Sequence, residues 1–249
     1  MYGEWSALYD QWCECYDINN NEIQVLGEHL SLDNKIILDI GCGTGRLTFR
    51  LAERAQKVIG VDIDKESTAV FKEKVKKLKV KNVELISAGI ESVDFQNESL
   101  DIVVFSWSFY SLPDSVLAKS IHCIKRWLKT NGKLLILQPD SGQFEEVMRS
   151  VFVENQGHEE YIDCFEKIKL IEDEILQFMK EFDVRQNFEF TDIDFGVDAI
   201  RMFAITEGSY TDDPHSIPSE SIIEQFEKYR QGERFVLDDY VRGFIFEKH

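Results

Sequence analysis

The chain has 249 residues, 43% of them hydrophobic, which is enough for one large domain with a real core and argues against two independent domains. With 46 acidic residues against 28 basic, its net charge of −18 repels polyanions and disfavours nucleic acid as a substrate. Five cysteines, at positions 13, 15, 42, 123 and 164, include no Cys-x-x-Cys pair and meet no histidine at ligand spacing, so reduced thiols, a cytoplasmic home and no metal site are expected.

Met1 to Trp5 lack the basic and apolar regions of a signal peptide, and no apolar run approaches a membrane span, so no membrane segment is expected. Over 4–17, Trp5, Tyr9, Trp12 and Tyr16 recur at helical spacing and form an aromatic stripe, which fits core packing and a lid over a ligand equally well. A second helix is expected over 20–31. Ile36, Ile37, Leu38 and Ile40 suit a strand buried on both faces. Gly41, Gly43 and Gly45 then allow a sharp turn and bare backbone against a ligand, and Leu47, Leu51, Ala52 and Ala55 continue at helical spacing. A cofactor belongs at that strand–turn–helix junction, where free N–H groups converge.

Two details select the cofactor. The dinucleotide pattern wants its third glycine at the position of Arg46, and no Gly-Lys-Ser/Thr follows to hold a triphosphate. Asp39 would repel a pyrophosphate but welcome an amine or sulfonium. The next apolar run, Val58 to Val61, ends in Asp62, 21 residues after Gly41, where an acid can take both ribose hydroxyls. Ribose plus cation points to S-adenosyl-L-methionine.

Downstream, Glu66–Lys79 reads as a helix, and its lysines from 72 to 81 read as a solvated face rather than a nucleic-acid patch. Val83–Ile86 is a third strand, and Ser99–Ser106 a fourth that ends in Trp107, Ser108, Phe109 and Tyr110. Ser115–Leu128 is a helix in which His122 is structural, and Lys133–Leu137 is a fifth strand after an Asn131-Gly132 turn. From Gly142 to Phe182 the spacing predicts two helices broken near Gly157, the second with Tyr161, Phe165, Ile168, Ile171, Ile175, Phe178 and Phe182 on its apolar side. Strands are predicted over Phe188–Ala204 and Phe235–Phe246. Between them lie a loop over 207–218 and a helix opened by a Ser221–Glu224 capping box.

The Asp-x-Gly-x-Gly-x-Gly run from Asp39 to Gly45, with Asp62 and the later strand signals in order, resembles the class I S-adenosylmethionine-dependent methyltransferases. The likeness spans residues 35–140 and continues more faintly to the C-terminus. It implies an α/β, Rossmann-like doubly wound sheet of seven strands, mostly parallel with an antiparallel last strand. One domain is implied: a helical cap (1–34), a cofactor core (35–140), a helical insertion (141–185) whose apolar face would bury against the sheet, a partner subunit or the acceptor side of the site, and a strand pair (186–249). The resemblance further implies that S-adenosyl-L-methionine contacts Asp39, Gly41, Cys42, Gly43, Gly45, Asp62, Ile63, Gly89, Ile90, Ser106 and Trp107. The chain departs from its relatives at Gly89, where they commonly place an acid for the adenine amino group; backbone near Ile90 or the Glu91 carboxylate would take its place.

Methyl transfer from a sulfonium is an in-line displacement that mainly requires alignment in a water-poor pocket, so a base is optional. Tyr9, Asp10, Tyr16, Tyr110, Gln138, His158 and Tyr161 are rim candidates, with Tyr9, Tyr16, Tyr110 and His158 the candidate catalytic groups. The expected activity is methyl transfer to oxygen or nitrogen of a small-molecule acceptor by a monomer or homodimer. The alternatives are a protein or RNA methyltransferase and a cofactor-binding scaffold that transfers no methyl group.

Overall fold

The computed structural model describes residues 5–152, 167, 168, 171, 176–206 and 213–249. Strands alternate with crossover connections through the first half of the chain, the arrangement that parallel pairing requires, since a tight turn can join only antiparallel strands. β1 (Ile36–Ile40), β2 (Lys57–Asp62), β3 (Val83–Ser87), β4 (Leu100–Ser106) and β5 (Leu128–Pro139) pair in this way. Before them lie α1 (Ser6–Cys15) and α2 (Asn21–His29). Between them lie α3 (Arg46–Ala52), α4 (Lys65–Leu78) and α5 (Asp114–Trp127), while the β3–β4 connection holds only a short 3-10 turn, Ile90–Ser92.

Local chemistry fixes these boundaries. Asp64 caps α4 by accepting from the Ser67 N–H at 2.8 Å, and its last turn carries Lys76 and Lys77 beside the exposed carbonyls. On α5, Leu117, Ser120, Ile121, Ile124 and Trp127 form the buried stripe, and His122 faces solvent on the other side.

The second half completes the sheet with α6 (Gln143–Phe152), β6 (Gln177–Phe190), α7 (Ile193–Thr206), α8 (Ser219–Glu227), the two-residue β7 (Arg230–Gln231) and β8 (Arg234–Glu247). The strand order is β3-β2-β1-β4-β5-β8-β6, with β7 pairing only with β8. β8 runs antiparallel to both β5 and β6. The sheet is therefore the expected Rossmann-like one, mostly parallel with an antiparallel last strand and an added two-residue ribbon. The chain leaves β1 toward β2 on one side and later places β4 on the other. The loops after β1 and β4 therefore diverge and open a crevice at the carboxyl ends of both strands.

Three expectations need correction. Phe178 and Phe182 lie on β6, where burial alternates at Phe182, Val184, Gln186, Phe188 and Phe190, so residues 177–182 are strand and not helix. Residues four apart share one face of a strand as well as of a helix, which explains the misreading. The strand predicted over Phe188–Ala204 stops at Phe190. Most of the following run is α7, which is buried at Phe195, Val197, Ala199, Ile200, Met202, Phe203 and Ala204 and keeps only a narrow polar stripe at Asp194, Asp198 and Arg201 as its helical signal. Ser221 lies inside α8, which starts at Ser219 after Pro218, so Ser221–Glu224 is not a capping box. Gly157, His158, Tyr161, Phe165, Cys164 and Ile175 fall outside the described residues.

Candidate active site

The turn after β1 is built from three glycines with different tasks. All three have positive φ: Gly41 at 71°, Gly43 at 53° and Gly45 at 92°. A Cβ on Gly45 would run into the Phe49 ring and come within 3.0 Å of Phe71, and one on Gly41 would strike the Ser108 side chain. A Cβ on Gly43 would meet nothing nearer than Tyr9 Cε1 at 4.0 Å. Bare backbone faced by open space is thus confined to Gly43; the other two glycines serve packing within the protein. Asp62 fastens the turn, its Oδ2 accepting from the Gly43 N–H at 2.7 Å and its Oδ1 from the Asp64 N–H at 2.8 Å.

The crevice holds a cavity of about 570 Å³, within the range of cofactor and small-molecule sites. Asp39, Gly41, Cys42, Gly43, Asp62, Ile63, Gly89, Ile90, Ser106 and Trp107 all line it, whereas Gly45 does not. Ile63, 71% exposed, stands at the mouth beyond β2. The Glu91 carboxylate lies against the space a Gly89 side chain would fill and also lines the cavity.

Asp39 and Thr44 test whether a cationic cofactor fits. Asp39 is buried, and its Oδ2 accepts from the Thr48 hydroxyl at 2.5 Å, but its Oδ1 has no partner among the described residues. The Thr44 hydroxyl is likewise buried and unpartnered, and both residues face the cavity. Burial pushes the Asp39 carboxyl up to about 6. An orphaned, buried carboxylate oxygen on a cavity wall matches the ammonium and sulfonium of S-adenosylmethionine and is a poor match for a phosphate.

The opposite wall comes from the N-terminal segment and α3. Arg46 makes a bidentate pair with the fully buried Glu22, at 2.5 and 3.1 Å, and its guanidinium covers the Trp107 ring at 3.9 Å. Arg46 also donates to the Ser106 hydroxyl. Arg50 extends the network to Asp17 at 3.0 Å, and Asp17 in turn accepts from the N–H groups of Asn21 and Glu22. Trp107 follows β4 with a φ of 59°, held by its N–H bond to the Leu137 carbonyl at 2.9 Å. A strained residue at a strand end beside a cavity is a common sign of a functional position. The sequence marked Arg46 only as a missing glycine; its pairing with Glu22, on a separate helix, carries no sequence signal.

The rim candidates separate. Tyr9 lines the cavity. Asp10 is paired with Lys74 at 2.7 Å. Tyr16 is buried outside the cavity and donates to Asp239. Tyr110 packs against the core beside β4 and does not line the cavity, and Gln138 is fully buried with both amide atoms unpartnered. His158 and Tyr161 lie outside the described residues. Burial pushes the Cys13 thiol up to about 12 and holds Cys42 well above its usual range, so neither is a ready nucleophile. Among the described residues no cluster of metal-ligating side chains occurs, and no helix is long and apolar enough to cross a membrane.

Residues 37–132 match the family model described as a methyltransferase domain. The chain is 31% identical over 105 residues to demethylmenaquinone methyltransferase of Lactococcus lactis, covering 41% of this chain and 41% of that one. It is 30% identical over 137 residues to protein arginine N-methyltransferase 6 of Xenopus tropicalis, covering 54% of this chain and 40% of the relative. The matched stretch thus spans well under half of either relative. The YcgJ protein from Bacillus subtilis superposes with a TM-score of 0.54 over 92% of this chain and 99% of its own, at 17% identity, and so shares the fold. Residues 37–132, which hold the glycine turn, the acid-ended second strand and much of the crevice lining, are therefore similar to a methyltransferase domain.

Proposed function

We propose that the chain binds S-adenosylmethionine in the crevice and transfers its methyl group to oxygen or nitrogen of a small-molecule acceptor. The observation that carries this reading is the pair of buried, unpartnered oxygens, Asp39 Oδ1 and Thr44 Oγ1, on the wall of a cavity floored by the bare Gly43 backbone. When bound, the cofactor supplies a methyl group on a sulfonium, and its departure neutralises that charge.

Each residue of the chain then has a physical task. Asp39 offers a buried carboxylate oxygen to the cationic end of the cofactor. The lone pairs of Asp62 left over from the Gly43 and Asp64 N–H bonds accept from ribose hydroxyls. The Glu91 carboxylate, lying against the space that a side chain at position 89 would fill, accepts from the adenine amino group, and the exposed Ile63 gives the ring an apolar bed. Tyr9 and Trp107 exclude water, which favours a reaction in which charge disappears.

A small acceptor suits the aromatic walls and a net charge of −18 that repels RNA. The named relatives act on different acceptors by their names, a quinone precursor in one and protein arginine in the other, and so leave the choice to experiment. Isothermal titration with S-adenosylmethionine and S-adenosylhomocysteine, with NADH as control, tests the cofactor. Micromolar binding of the first two alone is expected, and binding of NADH instead would overturn the reading. A panel of amine- and hydroxyl-bearing metabolites, set against peptide and RNA substrates, then tests the acceptor class.

A further inference from the structure

Next to the crevice, between α1 and the β6–β8 pair, the protein buries polar side chains that the other described residues leave wholly or partly unsatisfied. Asp239 accepts from the Tyr16 hydroxyl and from the Phe144 N–H, the latter at 3.1 Å, but no cation pairs with it among the described residues. A buried carboxylate that lacks a cation is an unfavourable arrangement. Gln186 stands directly opposite Asp239 in the antiparallel ladder, so both side chains leave the sheet on one face. Gln186 is fully buried and neither atom of its amide has a partner. The indole N–H groups of Trp12 and Trp107 are also buried and unpartnered.

These groups form one cluster. The Tyr16 ring lies 4.6 Å from that of Trp12 and 5.2 Å from that of Trp107, and Trp107 also lines the cofactor cavity. Native interiors leave few polar groups unpaired, so several in one cluster beside a ligand cavity call for a missing partner. Their chemistry describes it. Asp239 lacks a positive charge among the described residues and is joined through the Tyr16 hydroxyl to the aromatic rings of the cluster, whereas two indole N–H groups and the Gln186 NH₂ lack an acceptor. One face of Trp107 already carries the Arg46 guanidinium, so Trp107 contributes its N–H rather than a cation–π contact.

We infer that this cluster binds the acceptor and takes an amino-acid-like zwitterion, its ammonium against Asp239 and the Tyr16 and Trp12 rings, its carboxylate oxygens against the indole N–H groups and the Gln186 amide. The inference rests on the methyltransferase reading for the word acceptor, but the binding site itself stands or falls separately.

Four tryptophans, at positions 5, 12, 107 and 127, give four indole N–H signals in a spectrum of ¹⁵N-tryptophan-labelled protein, and that of Trp127 is already bonded to Asp94 at 2.8 Å. Glycine and alanine are titrated in, with and without S-adenosylhomocysteine, against methylamine and acetate as the separate halves. The Trp12 and Trp107 signals are expected to move with the zwitterions while Trp127 stays fixed, and each half alone is expected to bind far more weakly. Asp239→Asn should weaken the zwitterion about tenfold or more, the loss of one charge-assisted contact. Gln186→Met guards against misfolding, because it removes only unpartnered polar atoms; it should leave thermal stability intact and weaken the probe. Motionless Trp12 and Trp107 signals near the solubility limit of both amino acids would overturn the site, as would unchanged affinity in a folded Gln186→Met protein. Movement without any binding of S-adenosylhomocysteine would keep the site and overturn the methyltransferase reading.

Discussion

Alanine at Gly43 and at Gly45 should have opposite consequences, although both glycines belong to one motif. Each holds a left-handed backbone, at φ 53° and 92°, so each alanine incurs about 1–2 kcal/mol of backbone strain. At Gly45 the new methyl also overlaps the Phe49 ring and crowds Phe71, an overpacking cost of about 1–3 kcal/mol. Gly45→Ala is therefore expected to lose about 2–5 kcal/mol of stability while leaving the cavity wall unchanged. At Gly43 the methyl meets no atom nearer than 4.0 Å and projects into the cavity. Gly43→Ala should cost only about 1–2 kcal/mol of stability, and Gly43→Val should abolish cofactor binding in a chain that remains folded. Urea unfolding of the cofactor-free proteins gives the first quantity and titration with S-adenosylhomocysteine the second. Equal destabilisation at the two sites, or undiminished affinity in Gly43→Val, would refute the division between a packing glycine and a ligand-facing one.

Three further outcomes can be checked. Asp62→Ala removes the acceptor for the Gly43 and Asp64 N–H groups and should weaken S-adenosylmethionine by about 1–3 kcal/mol, measured by calorimetry. Glu22→Gln leaves the Arg46 guanidinium buried without its counter-charge and should cost about 3–5 kcal/mol in urea unfolding; a loss below 1 kcal/mol would show that Ser106 and Trp107 suffice to hold it. Burial raises the Asp39 carboxyl to about 6, so in the cofactor-free protein its contribution to stability is complete below the ordinary value of 3.8 and is lost as pH rises through about 6. Cofactor binding needs the ionised form, so affinity should climb over that same interval with release of a proton. Calorimetry in buffers of different ionisation enthalpy detects the proton, and Asp39→Asn should remove the pH step.

The parallel half of the molecule was legible because its signals are local. β1, α3 and β2 follow from an apolar run, a glycine turn and an acid-ended second run, and those same residues line the crevice. The second half was less legible. The even-numbered aromatics of β6 match a helix as well as a strand, and α7 is buried on so many sides that only the narrow stripe of Asp194, Asp198 and Arg201 carries its helical period. The N-terminal aromatic stripe shows the same limit. Spacing puts its rings on one helix face, but only packing reveals that Tyr9 reaches the cavity while Trp12, Cys13 and Tyr16 enter the core between α7, β6 and β8.

What the sequence determined by itself was the glycine turn between two acids at the mouth of the crevice, since these lie within a few dozen residues and need only short-range geometry. The tertiary structure decided which glycine faces the ligand, and it joined Arg46 to Glu22 across two helices. It also brought Asp239, Gln186, Tyr16, Trp12 and Trp107 together from two strand interiors, the end of a third strand and the N-terminal helix. Sheet order sets those juxtapositions, because burial places side chains from distant segments on one face and removes the water that would otherwise satisfy them.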